Sequence, residues 1–248
     1  MRKILWCTLL TFLLVNASWA STCPSAEKLE QILKKIFPKA KNLKVEKIQK
    51  SPLSNLCEAI ISTGGPFKNI FYVDTKGNYL LLGQLFSLKT GQNLTREKII
   101  ALSKLTPQQL ERLETLVAFK EGKGKKEIYL VTDPDCPFCK RLEKVLQELI
   151  NEEKITVKVI FLPLDRLHPR AKEKAIAIIC DRKGFGELLV GYTSSNQCPE
   201  GKTKVEEAQK FLFSLGIRGT PVLILPDGRI LQGAIPKKQL EKFLGISS

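Results

Sequence analysis

Four consecutive residues, Cys136-Pro137-Phe138-Cys139, constrain this chain more than any other feature, because of where they stand. A strand-like stretch from Glu127 to Val131 ends in the turn Asp133-Pro134-Asp135. A helical repeat follows with Leu142, Val145, Leu146, Leu149 and Ile150 on one face, and then a second strand from Ile155 to Leu162. The cysteine pair therefore sits at a strand-to-helix junction inside a β-α-β unit. Unpaired backbone N–H groups and the positive end of the helix dipole stabilise a thiolate at position 136. Lys140 and Arg141 add positive charge nearby. Pro137 suits the first helical turn, where its missing N–H would have no partner anyway. Two intervening residues put Cys139 one turn along, within reach of a mixed disulfide on Cys136. The spacing assigns attack to Cys136 and resolution to Cys139, which is thiol–disulfide exchange.

Competing uses of such a pair fare worse. A zinc site needs further ligands, yet no second C-x-x-C exists and His168 is the single histidine. Haem attachment needs histidine after the second cysteine, and position 140 is Lys. No metal or organic cofactor is implied. His168, in Leu167-His168-Pro169, reads as a loop or capping group. Asp133, Asp135 and Glu127 read as turn or surface groups, and the residue six before Cys136 is the apolar Leu130.

The rest of the chain divides around this unit. Met1 to Ala20 has a basic start, the apolar run Ile4 to Val15, and small residues before a cleavage point after Ala20, which together read as a signal peptide. From residue 21 to 92 the pattern is a small α+β unit. Ser25 caps a helix with Leu29, Ile32, Leu33, Ile36 and Phe37 on one face. Strands are expected at Leu56 to Thr63, Ile70 to Val73 and Tyr79 to Leu88, the last two joined at Asp74-Thr75-Lys76-Gly77. Residues 93–126 read as a helical linker, with a capping box at Thr106-Pro107-Gln108-Gln109 and a polar, glycine-punctuated end at Glu121 to Lys126. Residues 127–248 complete the second domain. It has a helical stretch from Pro169 to Phe213 with a capping box Thr203…Glu206, a hairpin turning at Pro226-Asp227-Gly228-Arg229, and a last helix from Lys237 to Leu244.

Loss of Arg2 and Lys3 with the signal lowers the formal charge from +15 to +13. The lysines are scattered, with no basic block interleaved with aromatics, so a solvated surface is favoured over a nucleic-acid partner. Export also favours disulfides. Once Cys7 leaves, the cysteines form sequential couples: Cys23 with Cys57, Cys136 with Cys139, Cys180 with Cys198. Six cysteines allow too many pairings for sequence to choose among them. A Cys23–Cys57 bridge would tie the first helix to the first expected strand.

The order of these parts resembles the DsbC/DsbG family of periplasmic disulfide isomerases. The likeness is carried by Phe71-Tyr72-Val73-Asp74 through Gly83, Asp133 to Arg141, Ile179-Cys180-Asp181-Arg182, Leu215 to Pro221, and the terminal hairpin and helix. It implies an α+β molecule with a cystatin-like N-terminal dimerisation domain, a helical linker and a C-terminal thioredoxin-like domain with a helical insertion. It also implies a cis bond before Pro221, a client groove lined by Thr220 and a structural disulfide between Cys180 and Cys198. Phe138, beside the nucleophile, reads equally as a client contact or as a helix-packing group. By that likeness the molecule is a periplasmic homodimer acting on unfolded or misoxidised exported proteins and kept reduced by a DsbD-like membrane partner. Two alternatives stay open: a DsbG-like chaperone with secondary redox activity, and a monomeric dithiol oxidase. Pro137-Phe138 departs from the usual DsbC dipeptide toward DsbG, and Cys23 with Cys57 lies outside the family pattern.

Overall fold

The computed structural model describes residues 23–246. The expected signal peptide, residues 1–20, lies outside the described residues. Ser25 caps the first helix, α1 (Ala26–Ile36), its hydroxyl accepting from the Lys28 amide. Leu29 and Leu33 are buried from α1, while Ile36 is left exposed. They pack on an antiparallel sheet of β1 (Lys44–Lys50), β2 (Leu56–Ser62), β3 (Lys68–Asp74) and β4 (Leu80–Leu81), ordered as numbered. β1 falls where no strand was expected: its lysine-rich face is solvent-exposed, and only Val45 is buried. The expected strand Tyr79 to Leu88 shrinks to two paired residues, and Tyr79, Leu81, Leu82, Phe86 and Leu88 remain exposed.

Two short helices follow, α2 (Leu94–Leu102) and α3 (Pro107–Thr115). Both halves of the capping box at Thr106 and Gln109 are made, each side chain bonding the other residue's amide. The second sheet then begins earlier than position 127. β5 (Phe119–Gly122) pairs antiparallel with β7 (Ile155–Phe161), and β6 (Lys126–Thr132) pairs parallel with β7. The glycines expected to mark a linker instead allow contact: a Cβ on Gly122 would lie 2.4 Å from the Ile155 carbonyl oxygen, and one on Gly124 2.1 Å from the Ile155 nitrogen. With β8 (Val222–Ile224) and β9 (Ile230–Gln232), both antiparallel, the order is β5-β7-β6-β8-β9.

Helix α4 (Pro137–Asn151) joins β6 to β7 and buries Leu142, Leu146, Leu149 and Ile150. The expected long helical stretch is three helices: α5 (Ala171–Cys180), α6 (Phe185–Val190) and α7 (Pro199–Ser214). Thr203 lies inside α7, whose cap is Cys198, so no capping box forms at Thr203. Proline at the position after Cys198 starts the helix earlier than the Thr203…Glu206 spacing suggested. Helix α8 (Lys237–Leu244) ends the fold. Among the described residues no helix is long and apolar enough to cross a membrane.

Two bridges staple these elements. Cys23–Cys57 joins the segment before α1 to β2, and Cys180–Cys198 joins the end of α5 to the cap of α7, each with Cα atoms 5.8 Å apart. A third attachment is polar. The Ser103 hydroxyl accepts from the Lys68 amide at the start of β3, and its carbonyl accepts from the Ile230 amide of β9. The Leu105 amide donates to the Gly228 carbonyl.

Candidate active site

Cys136 is the N-cap of α4 and Pro137 its first helical residue. The chain reaches this position through a turn organised by one buried side chain. Asp133 has no exposed surface, so of the turn and surface roles the sequence suggested it takes the turn role. One of its carboxylate oxygens accepts from the Asp135 amide at 2.8 Å. The other accepts from the Leu164 amide at 2.7 Å and lies 2.9 Å from His168 Nδ1. Its backbone carbonyl accepts from the Cys136 amide. The loop after β7 thus clamps the turn before α4, and His168 serves that clamp.

Cys136 and Cys139 are both free thiols. Cys136 keeps 4 % of its surface and Cys139 none. The Cys136 thiol faces the Thr220 carbonyl oxygen at 3.7 Å, and the Thr220–Pro221 bond is cis. Phe138, between the cysteines in sequence, is half-exposed, with the Arg141 guanidinium 4.3 Å from its ring centre. This stacking occupies one of the two cations expected near the sulfur. The other, Lys140, donates to the Leu188 carbonyl of α6 and lies 3.3 Å from Glu143. Neither is directed solely at Cys136, which stands at the N-terminus of α4. Lys174 from α5 pairs with Asp135 beside it.

The two thiols differ chemically. Burial pushes Cys139 up to about 12, against the smaller opposing influence of the Thr132 and Thr220 hydroxyls beside it. At neutral pH it is a thiol, and it needs a local base before it can attack.

A groove of about 530 Å³ opens beside Phe138, lined also by Arg96, Arg141, Val145, Gln232 and Pro236. Arg96 comes from α2, so the segment between the two sheets helps line this groove. The structure brings Cys136, Cys139, Phe138, Thr220 and Pro221 to one place. Cys180 with Cys198, and Cys23 with Cys57, lie elsewhere as bridges.

Sequence reasoning missed one residue here. Glu143, one turn after Cys139, is fully buried and accepts from the Thr132 hydroxyl at 2.6 Å. The signal was present: a glutamate between Leu142 and Leu146, on the face of α4 that turns inward.

The thioredoxin-like domain family model matches residues 115–245, and the disulfide bond isomerase protein N-terminal domain model matches residues 20–96. A probable thiol:disulfide interchange protein DsbC of Bordetella avium is 27 % identical over 179 residues, 71 % of this chain and 62 % of that protein. The chain thus aligns to less than two-thirds of that relative's length. The thiol:disulfide interchange protein DsbC of Escherichia coli K12 is 23 % identical over 210 residues, 82 % of each chain. A crystal structure of a disulfide interchange protein from Neisseria gonorrhoeae is 34 % identical over 51 % of this chain and 91 % of that one, with a TM-score of 0.46.

Proposed function

The chain belongs to the thioredoxin-like family and, with a disulfide bond isomerase domain ahead of that fold, to the DsbC/DsbG family of thiol:disulfide interchange proteins; from that premise we propose that it isomerises or reduces non-native disulfides in exported proteins through a Cys136 thiolate. The observation that carries the reading is the unequal pair of free thiols, with Cys136 at the mouth of α4 beside Thr220–Pro221 and Cys139 sealed behind it.

The Cys136 thiolate attacks one sulfur of a client disulfide, and the other client sulfur leaves as a thiolate. The mixed disulfide then has two fates. A second client thiolate displaces Cys136 and leaves a rearranged client bridge, which is isomerisation. Alternatively Cys139 displaces the client, which leaves reduced while Cys136 and Cys139 become a disulfide. Repeated attack requires that this disulfide be returned to dithiols, the role proposed for a DsbD-like membrane reductant. Thr220, Pro221 and Phe138 border the client's path, and the periplasm is the compartment that fits this cycle.

The proposed assembly is a homodimer joined along β4. Exposed Lys44, Lys47 and Lys50 guard the other edge, at β1, against strand pairing, whereas β4 is short and flanked by exposed apolar side chains.

Refolding of scrambled ribonuclease in a glutathione buffer tests the reading. The wild-type chain is expected to speed recovery of ribonuclease activity, and Cys136→Ala is expected to abolish that gain. Full retention of the gain in the Cys136→Ala, Cys139→Ala double variant would leave a chaperone reading in its place.

A further inference from the structure

Among the described residues, two buried side-chain oxygens lack a hydrogen-bond partner: Glu143 Oε2 and Thr220 Oγ1. Buried polar atoms are nearly always paired, and the exceptions mark strain or chemistry. Both of these belong to residues gathered about Cys139. Thr220 flanks the sulfur directly. Glu143 follows Cys139 by four residues on the same inward face of α4, and its other oxygen holds the Thr132 hydroxyl at 2.6 Å. Thr132 in turn lies beside the sulfur. A fully buried glutamate carries a desolvation cost that leucine would not, and its Oε2 has the Lys140 ammonium at 3.3 Å as an ion pair.

Building on the reading of Cys139 as the resolving thiol, we infer that Glu143 is the proton acceptor that activates Cys139, working through the Thr132 hydroxyl. In the mixed-disulfide state the Cys139 proton passes to Thr132 Oγ1, and the hydroxyl's own proton passes to Glu143 Oε1. The Cys139 thiolate then attacks the Cys136 sulfur. The Cys136–Cys139 bond forms, the bond from Cys136 to the client sulfur breaks, and the client leaves as a thiolate that takes a proton from water. The buried pair is oxidised by two electrons and the client disulfide is reduced by two. When the pair is reduced again, Glu143 returns its proton along the same route. Thr220 Oγ1, unpaired beside the thiol, supplies a donor once the sulfur carries charge.

The surroundings suit an acceptor. Burial raises the Glu143 carboxyl above its ordinary range, with Lys140 and Thr132 opposing and the charge of Asp133 adding to the rise. Lys140 faces it from its own helix, and Asp133 faces it from the turn after β6. His168, from the loop after β7, contacts Asp133. Helix α6 contributes the Leu188 carbonyl, which holds the far side of the Lys140 ammonium.

The test uses the full reduced chain and dithiobis(nitrobenzoate). Cys136 attacks first, releasing one thionitrobenzoate, and Cys139 releases the second by displacement. Glu143→Gln is expected to lower the ratio of second-phase to first-phase rate about 100-fold at neutral pH and to move the rise of the second phase to higher pH. Thr132→Val should do the same, and Thr132→Ser should restore the wild-type ratio and profile. An unchanged ratio in both Glu143→Gln and Thr132→Val overturns the relay, as does a Thr132→Ser variant no faster than Thr132→Val. A wild-type chain with no first phase overturns the reading of Cys136 itself, a failure distinct from that of the relay. Should Glu143→Gln not fold, the Thr132 pair decides.

Discussion

Cys136 and Cys139 lie three residues apart in sequence, yet their surroundings differ. One stands at a helix mouth with a trace of exposure, the other in a closed pocket that disfavours charge. Removing the second should therefore leave the first able to attack but unable to let go. Cys139→Ser is expected to accumulate mixed disulfides with glutathione or a client, visible as an added mass in non-reducing mass spectrometry. An unmodified Cys139→Ser chain after the same incubation would contradict the assignment of roles. Most of this centre was legible in the residues, because a C-x-x-C at a strand-to-helix turn has few physical meanings. The orientation of the nearby cations was not legible. Sequence places Lys140 and Arg141 near the sulfur but does not reveal that Phe138 and the Leu188 carbonyl compete for them. Glu143 was hidden for a related reason: the helical repeat shows which face turns inward, not which polar group finds a partner there.

Individual elements are held by a few long-range contacts. Glu114 of α3 receives a bond from Lys158 of β7 at 2.8 Å and one from Tyr129 of β6, with Lys120 of β5 at 3.2 Å. Burial alone would raise its carboxyl, but these donors outweigh burial and hold it at about 2. The folded value lies below the ordinary 4.5, so the unfolded chain binds more protons between the two, and stability rises with pH across that window. The stabilisation from Glu114 is fully present above about pH 5 and is lost as pH falls through about 2. The urea midpoint of Glu114→Gln should accordingly lie below that of wild type at neutral pH, and the gap should close on acidification. A gap that stayed constant down to pH 2 would rule out the linkage. The Cys180–Cys198 bridge closes a loop of 18 residues between α5 and α7. Replacing both cysteines by alanine should lower stability by about 3 kcal/mol, measured by urea unfolding. Helices with strong caps were readable at this scale, as α1 and α3 show. β1 was not, because a strand with one wet, lysine-rich face lacks the apolar alternation that sequence reading relies on. β5 was missed because glycines needed for close backbone approach look the same in sequence as glycines in a linker.

At the scale of the whole molecule, the proposed second copy brings two active sites into one assembly. Leu81→Asp combined with Leu88→Asp places charge along the exposed apolar margin of the first sheet. The expected result is a halved mass in sedimentation, with thionitrobenzoate release intact and recovery of scrambled ribonuclease reduced. A double variant that keeps the wild-type mass would place the interface elsewhere. Only the family likeness made a dimer legible, since a sequence shows an apolar edge without showing what covers it.

Ser103 sets a limit on how such an assembly can move. Its hydroxyl grips one sheet and its carbonyl the other, and Leu105 repeats the grip on the second sheet two residues on. A hinge there could swing only by giving up these bonds, so within one chain the two sheets are tied to swing together rather than apart.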